Sequence, residues 1–242
     1  YMGADPESPN YAKKHRIIRS PYNGGRGPLF RARYDDVHYN LVHHHVNLSP
    51  VYEPPENWFE DEAERQKVHQ LFDEIVMQGD VPVNLSAVAL GADAYLYTGE
   101  DRYRDWVAEY VGAWIERARQ NGGQIPDNVG LAGAVGEYLD GKLYGGYYGW
   151  TWPHGFYNLG FAAVTAANNA YLLSGDEQYF ELPRKMIDTV LEQGMEADYD
   201  EWKERISIRA HYVGLERTLG PDRRTFLVPF RHGDKGWTDY QP

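Results

Sequence analysis

The 242-residue chain contains no cysteine, few basic residues and no long apolar run, and each absence excludes a class of chemistry. Without cysteine there is no disulfide, no thiol nucleophile and no thiolate metal ligand. The chain has 24 Lys and Arg against 36 Asp and Glu, and its net charge of -12 argues against a nucleic-acid partner. No apolar run approaches the roughly 20 residues of a membrane span, so no membrane partner is expected.

Aromatic residues and glycine are abundant, with 20 Tyr, 7 Trp, 8 Phe and 25 Gly. Tyr and Trp combine a flat apolar face with a polar group, which suits protein cores, interfaces and sugar-binding clefts. The length fits one domain or two small ones. Because the chain starts at Tyr1 without an initiator methionine, we expect a mature or trimmed product, or part of a longer protein.

Three stretches of different character follow one another along the chain. Residues 1–59 predict an irregular N-terminal strap, because proline and glycine interrupt any regular pattern. Apolar residues then recur at three- and four-residue steps from Glu60 to Gln78, which predicts a helix. Helical hairpins are expected over residues 60–200, and residues 201–242 begin a further segment. The prediction is one domain over residues 1–242, or a fragment of one.

An internal repeat organises the helical part of the chain. Residues 94–103 match residues 170–179, an offset of 76 positions. Each copy follows an Ala-rich helix, predicted at 84–97 and 158–173, and precedes an amphipathic helix. The Thr or Ser before the glycine is expected to cap the second helix. Repeated helix hairpins predict a stacked or toroidal α/α architecture, in which the outer helix buries Trp106, Tyr110 and Trp114.

The repeated unit, Ala-Tyr-Leu-x-Thr/Ser-Gly-acid-x-x-Tyr, resembles the hairpins of the (α/α)-toroid carbohydrate-active enzymes. These include toroidal polysaccharide lyases and unsaturated glucuronyl hydrolases. The resemblance covers residues 60–200 and concerns the scaffold rather than a catalytic signature. It implies a mainly α fold, an (α/α) toroid that is incomplete because such toroids are usually longer than this chain. Terpene-processing toroids and plain helical repeat scaffolds share the same hairpin pattern.

A loop rich in glycine and aromatic residues, 122–157, separates the two repeats and is the first candidate site. A long irregular segment inside a domain is usually functional, and this one is too aromatic to be disordered. Flat rings beside amides and carboxylates suit a pyranose ring. The candidate substrate-binding residues are Asp127, Asn128, Asp140, Tyr147, Tyr148, Trp150 and Trp152, and the candidate catalytic residues are His154 and Tyr157. The alternative is that these rings fill the mouth of the toroid as core.

The second candidate site is the segment from Asp35 to His45. Asp36 and Asn40 are candidate substrate-binding residues, and His44 is a candidate catalytic residue, because imidazole exchanges a proton near neutral pH. His43 and His45 would share one side of an extended strand, but no metal-ligand spacing supports a metal site and none is expected. At least one histidine of this segment is expected to approach the aromatic loop.

The third candidate site is residues 205–212. Arg209 suits a carboxylate fork and is a candidate substrate-binding residue. His211 and Tyr212 are candidate catalytic residues, a base and a phenol beside that cation. A surface ion pair is the alternative interpretation of this segment.

The leading functional hypothesis is an enzyme that cleaves an acidic poly- or oligosaccharide, without a cofactor. In β-elimination a base removes the C5 proton while the enolate is stabilised and a Tyr protonates the leaving oxygen. The resemblance implies His, Tyr, Asn and Arg in these roles and favours a secreted or periplasmic protein. Hydrolysis by a pair among Asp36, Asp127 and Asp140 is the first alternative. A non-catalytic carbohydrate-binding helical protein is the second, and a terpenoid-processing toroid fits the polar loop residues less well. The sugar, its linkage and the oligomeric state stay open.

Overall fold

A computed structural model of the chain describes residues 9–43, 48, 51–145, 149–150, 155–192, 194–198, 215–218 and 223–227. This part of the chain is mainly helical, as predicted, with short strands at both ends. None of its helices is both long enough and apolar enough to cross a membrane.

The N-terminal part begins with two short antiparallel ribbons and is more regular than the sequence predicts. Strand β1 (Tyr11–Ala12) pairs with β2 (Ile17–Ile18), and β3 (Asn23–Gly24) pairs with β4 (Gly27–Pro28). Both isoleucines of β2 are fully buried, so this ribbon is anchored in the core. Helix α1 (Tyr34–His43) follows.

Helix α2 (Glu62–Phe72) continues without a break into one π-helical turn, Asp73–Met77. The carboxylate of Asp61 accepts the backbone N–H of Glu64 at 2.9 Å and so satisfies a free donor at the start of α2. Gly79, with φ of +93°, ends the segment because few other residues adopt this conformation. The predicted helix from Glu60 to Gln78 is therefore confirmed within about two residues.

Two helix hairpins form the centre of the fold. The first joins α3 (Val88–Thr98) to α4 (Asp101–Gln120), and the second joins α5 (Gly155–Ser174) to α6 (Glu181–Glu192). Short 3₁₀ turns precede α3 and α6, at Pro82–Ala87 and Glu177–Phe180. Helix α5 packs against α3, α4 and α6.

The turns of the two hairpins have the same geometry. Gly99 and Gly175 adopt φ of +69° and +71°, and each donates its N–H to a tyrosine carbonyl four residues earlier at 2.7 Å. This is the left-handed C-terminal cap that glycine favours. The repeat at an offset of 76 positions therefore corresponds to a repeated local structure.

The hydroxyl groups beside these glycines belong to the first helix of each hairpin. Thr98 donates to the carbonyl of Ala94 and Ser174 donates to that of Ala170, both at 2.7 Å. The expectation that they cap the second helix is wrong, because the residue that precedes α4 is Glu100 and no side chain caps that helix.

The main core lies between the hairpins and the first ribbon. Trp106, Tyr110 and Trp114 of α4 are buried, as predicted. Small residues of α5 face this core, and the buried ones are Ala162, Ala163, Ala166, Ala167 and Ala170. Small side chains on the inner helix let the helix axes approach closely.

A second apolar cluster lies under α1 and α2. Its buried members are Val37, Leu48, Trp58, Val68, Phe72, Ile75, Val76, Met77 and Leu139. Side chains of α2 and of the π-helical turn that follows it therefore form the apolar surface on which α1 packs.

A small antiparallel sheet forms the C-terminal part that the structure describes. Strand β7 (Arg223–Leu227) is central, between β5 (Gly194–Asp198) and β6 (Leu215–Thr218). Strand β5 lies inside the range 60–200 that the sequence predicts to be helical hairpins, so among the described residues the helical part ends with α6 at Glu192.

Asp80, just before the first 3₁₀ turn, is the centre of a buried hydrogen-bond network. One carboxylate oxygen accepts the backbone N–H of Ile18 at 2.9 Å, and the other accepts the amide of Asn84 and the hydroxyl of Tyr110, both at 2.9 Å. The backbone of Asp80 also exchanges two hydrogen bonds with Val129, at 2.7 and 2.8 Å. Asp80 therefore connects the N-terminal ribbon, α4 and the long loop.

The environment of Asp80 favours its protonated form. Burial raises its pKa to about 6, although its hydrogen bonds and the nearby guanidinium of Arg117 act in the opposite direction. Arg117 is itself buried and donates to the carbonyl of His15 at 2.6 Å, which joins α4 to the ribbon a second time.

We expect the Asp80 carboxyl to make folding stability depend on pH. Because its pKa is raised from 3.8 to about 6, its stabilising contribution is complete below about pH 4 and is lost as the pH rises through 6. The unfolding free energy of wild type minus that of Asp80→Asn should therefore fall by up to about 3 kcal/mol over this range. Urea unfolding of both proteins at several pH values measures this difference, and a constant difference would contradict the assignment.

Gly91 permits the close approach of α3 and α4. A Cβ at this position would lie 2.9 Å from Cγ2 of Val107 and 3.0 Å from the ring of Trp106. Gly91→Ala should therefore destabilise the protein by about 1–3 kcal/mol despite the better helix propensity of alanine. Gly112→Ala is the matched control, since no atom lies within 4 Å of its Cβ, and it should stabilise α4 by up to about 1 kcal/mol. Equal stability of the two variants in urea would be the opposite result.

Candidate functional site

Asp127 fixes the long loop to the core. Its carboxylate oxygens accept the backbone N–H groups of Gly145 and Trp150, both at 2.8 Å. Burial raises the pKa of Asp127 well above its ordinary value, and these two donors act against that shift. A Cβ on Gly149 would lie only 2.1 Å from the Asp127 carboxyl carbon, so the loop passes directly over it. The side chain of Asp127, a predicted substrate-binding residue, is fully enclosed.

Two neighbouring candidates, Trp150 and Asn128, are also enclosed by the protein. Trp150 is fully buried and donates its indole N–H to the carbonyl of Ile125 at 2.7 Å. Asn128 is fully buried and donates its amide to the carbonyl of Ile75, in the π-helical turn, at 3.3 Å. Both predicted substrate contacts are therefore enclosed in the protein, and the burial of Trp150 agrees with the alternative interpretation of this ring as core.

The remaining candidates of the three sites, apart from Asp36 and Asn40, divide into two groups. Asp140 is exposed at a turn with φ of +52°, and Tyr157 lies half-exposed in the first turn of α5. The other candidates lie outside the residues whose side chains are described, and they are His44, Tyr147, Tyr148, Trp152, His154, Arg209, His211 and Tyr212. The expected approach of the histidine segment to the aromatic loop thus stays a prediction.

The segment from residue 34 to residue 43 is helical. The carboxylate of Asp36 accepts the backbone N–H and the guanidinium of Arg33, at 3.3 and 3.2 Å. The hydrogen bond from this guanidinium holds the pKa of Asp36 below its ordinary value. Asn40 donates its amide to the carbonyl of Asp36 at 2.7 Å. Both candidates lie on α1, and the extended strand considered for His43 is excluded.

Five rings of α1, α2 and the segment between them meet at the surface and form what we name the aromatic–histidine cluster: Tyr34, His38, Trp58, Phe59 and His69. Tyr34 is stacked on His69, with ring centres 5.5 Å apart and an angle of 7° between the planes. His38 lies 6.2 Å from Tyr34 and meets Phe59 edge-on at 5.5 Å.

The cluster has a buried base and an exposed top. Trp58 is buried in the second apolar cluster and lies 6.0 Å from the ring of His38. Tyr34 is 41% exposed, and Tyr39, further along α1, is 54% exposed. Nε2 of His69 is enclosed and has no hydrogen-bond partner among the described residues. The rings of α1 are therefore held by packing, with both histidines in stacked geometry on Tyr34, while Tyr34 and Tyr39 keep part of their surface exposed to solvent.

This arrangement brings together groups for stacking and for proton transfer. An exposed tyrosine ring offers a flat apolar face, and imidazole and phenol exchange protons. His38 lies within the second candidate segment, Asp35 to His45, but sequence reasoning missed its partners Trp58, Phe59 and His69. The available signals were the Trp58-Phe59 pair just before a helix and the single histidine within that helix. The described residues contain no group of three or more potential metal ligands.

Comparison with known families gives one result. Residues 1–242 match DUF8034, a domain of unknown function. The chain belongs to this family. No curated protein and no solved structure matches it. The DUF8034 description names no activity, so the function of this member has to be argued from its own residues.

We expect loss of the Asp127 carboxylate to release the loop. Asp127→Ala leaves the buried N–H groups of Gly145 and Trp150 without acceptors, at a cost of about 1–3 kcal/mol each. Urea unfolding and hydrogen exchange of residues 143–150 should show lower stability and faster exchange. Asp140→Asn is the control, since Asp140 is exposed and asparagine tolerates its positive φ. Equal stability of the two variants would show that the carboxylate does not hold the loop.

Proposed function

We propose that this protein binds an acidic carbohydrate at the aromatic–histidine cluster and cleaves it by β-elimination. One observation supports this most directly. The Tyr34 ring is stacked on His69, lies beside His38 and is still 41% exposed. A flat ring next to two imidazoles is suited both to hold a sugar and to move a proton on it.

The binding part of the proposal depends on ring stacking. A pyranose presents a face of C–H groups that packs on an aromatic ring, and stacking of flat ligands on aromatics is worth about 1–3 kcal/mol. Tyr39 supplies a second exposed ring on α1.

The chemical part assigns the two steps of β-elimination to neighbouring side chains. A base removes the C5 proton, the C4–C5 double bond forms, and the C4–O bond breaks. We assign the base to His38 and the acid that protonates the leaving oxygen to Tyr34, whose ring centres are 6.2 Å apart. Arg209, which suits a carboxylate fork, stays the sequence-based prediction for the cation that neutralises the uronate.

Hydrolysis by paired carboxylates is less well supported. Of the three aspartates considered, Asp127 is buried and both of its oxygens accept backbone N–H groups. Asp36 is engaged with Arg33. A hydrolase needs one protonated and one ionised carboxyl group on opposite sides of the bond, and these residues do not supply that pair.

We also propose that the two hairpins are successive repeats of an (α/α) toroid. Their matching glycine turns and the packing of α5 against α3, α4 and α6 support this view. In a toroid the inner helices, here α3 and α5, lie next to each other and the outer helices surround them.

The binding proposal is tested by removing exposed rings one at a time. Tyr34→Ala should weaken binding of a uronic-acid oligosaccharide at least about fivefold, as expected for loss of 1–3 kcal/mol of stacking. Calorimetric titration measures this change. Tyr97→Ala is the control, because Tyr97 is 93% exposed on α3 and should leave binding unchanged. Equal affinity of Tyr34→Ala and wild type would exclude this cluster as the binding surface.

The chemical proposal is tested with His38→Ala. Loss of a general base should lower the turnover number by about 10²–10⁴ with little change in affinity. The assay follows the ultraviolet absorbance of the unsaturated product during digestion of uronic-acid polysaccharides. Wild-type protein that binds the sugar without forming this product would be a carbohydrate-binding protein and not a lyase.

A further inference from the structure

Helix α5 contains no charged residue in 20 positions, although a quarter of the whole chain is charged. One side of α5 packs its alanines into the main core. The opposite side is exposed and carries larger side chains at steps of three and four residues. We name this side the α5 stripe, and its members are Tyr157, Phe161, Val164, Asn168, Tyr171 and Leu172.

The α5 stripe is large enough for a specific protein contact. Its five apolar side chains are between 39% and 74% exposed. Side chains of this size offer on the order of 200 Å² each, so the stripe presents about 500 Å². A two-fold contact over this stripe would therefore bury about 1,000 Å² on the two copies together, which is the lower limit for a specific interface.

The absence of charge indicates what kind of partner fits. With a net charge of -12, two copies of this chain repel each other over most approaches. An uncharged face removes that repulsion locally. Because a two-fold contact brings the same surface of both copies together, an uncharged apolar stripe is complementary to itself.

Asn168 gives the stripe a polar centre that also matches itself. It is exposed between Val164 and Tyr171 on the same side of α5. An amide carries both donors and an acceptor, so two Asn168 side chains that face each other across a two-fold axis satisfy each other. A single buried asparagine between apolar neighbours is the device that fixes register in paired helices.

We propose that the α5 stripe is the interface of a two-fold homodimer, with the Asn168 side chains of the two copies facing each other near the axis. The occupant of this face is therefore a second copy of the same chain. This proposal is independent of the carbohydrate activity, because it uses no residue of the aromatic–histidine cluster.

Analytical ultracentrifugation with charge variants tests the interface. Wild-type protein should sediment as a dimer at micromolar concentration. Phe161→Glu places a like charge on both sides of the contact and should raise the dimer dissociation constant at least about 100-fold. Leu29→Glu is the matched control, because Leu29 is also exposed but lies outside the stripe, and it should stay dimeric. A monomeric wild type, or a dimer that Phe161→Glu leaves intact, would overturn the proposal.

Cross-linking tests the position of the axis. The chain has no cysteine, so Asn168→Cys introduces a single thiol. Under mild oxidation it should form a covalent dimer, whereas Gln120→Cys, at an exposed position on α4, should not. Equal cross-linking of the two variants would indicate random collisions and contradict a two-fold axis near Asn168. If the wild-type protein is monomeric, the homodimer proposal is wrong, and the α5 stripe would instead contact a different protein or further helices of a longer chain.

Discussion

The buried carboxylate of Asp80 connects parts of the chain that are distant in sequence. It accepts hydrogen bonds from Ile18 of the N-terminal ribbon, from Asn84 and from Tyr110 of α4. A buried charge is costly unless its hydrogen bonds are complete, so each of these partners is held in place by the others. Besides the two buried isoleucines, the ribbon packs Tyr11 edge-on against Trp106 and Tyr110 of α4. Its position against α4 therefore depends on these contacts together with the Asp80 carboxylate and Arg117.

The same network determines what the long loop can do. Val129 exchanges backbone hydrogen bonds with Asp80. Asp127 binds the returning part of the loop, and Asn128 binds the π-helical turn. Residues 127–129 thus join three parts of the fold in succession. The Asp127 carboxylate and the Asn128 amide N–H are bound to the protein itself, and Oδ1 of Asn128 is enclosed without a hydrogen-bond partner among the described residues. Exposed rings elsewhere are therefore the more accessible groups for a ligand. The aromatic–histidine cluster has such rings, because α1 lies at the surface and is supported by a separate apolar cluster.

The hairpins were predictable from the sequence because their signals are local. A glycine with positive φ, a hydroxyl residue before it and apolar residues at helical steps all act within a few residues. The burial of Asp127 and Trp150 in the loop was not predictable, because these residues are of the types found in sugar-binding sites. Their burial results from contacts with Gly145, Ile125 and other residues distant from them in the chain. The partners of His38 were missed for the same reason, since Trp58 and His69 meet it only in three dimensions.

The two proposed surfaces, one for a carbohydrate and one for a second copy of the chain, are supported by separate apolar clusters. The rings of α1 are supported by the cluster that contains Trp58 and Phe72, whereas α5 packs into the cluster that contains Tyr110 and Trp114. A partner seated on the exposed side of α5 adds apolar contacts without displacing the alanines on its buried side. Because densely packed cores resist deformation, such a contact stabilises the hairpins and leaves the support of α1 unchanged. The fold can therefore carry a ligand surface and an association surface on separate cores.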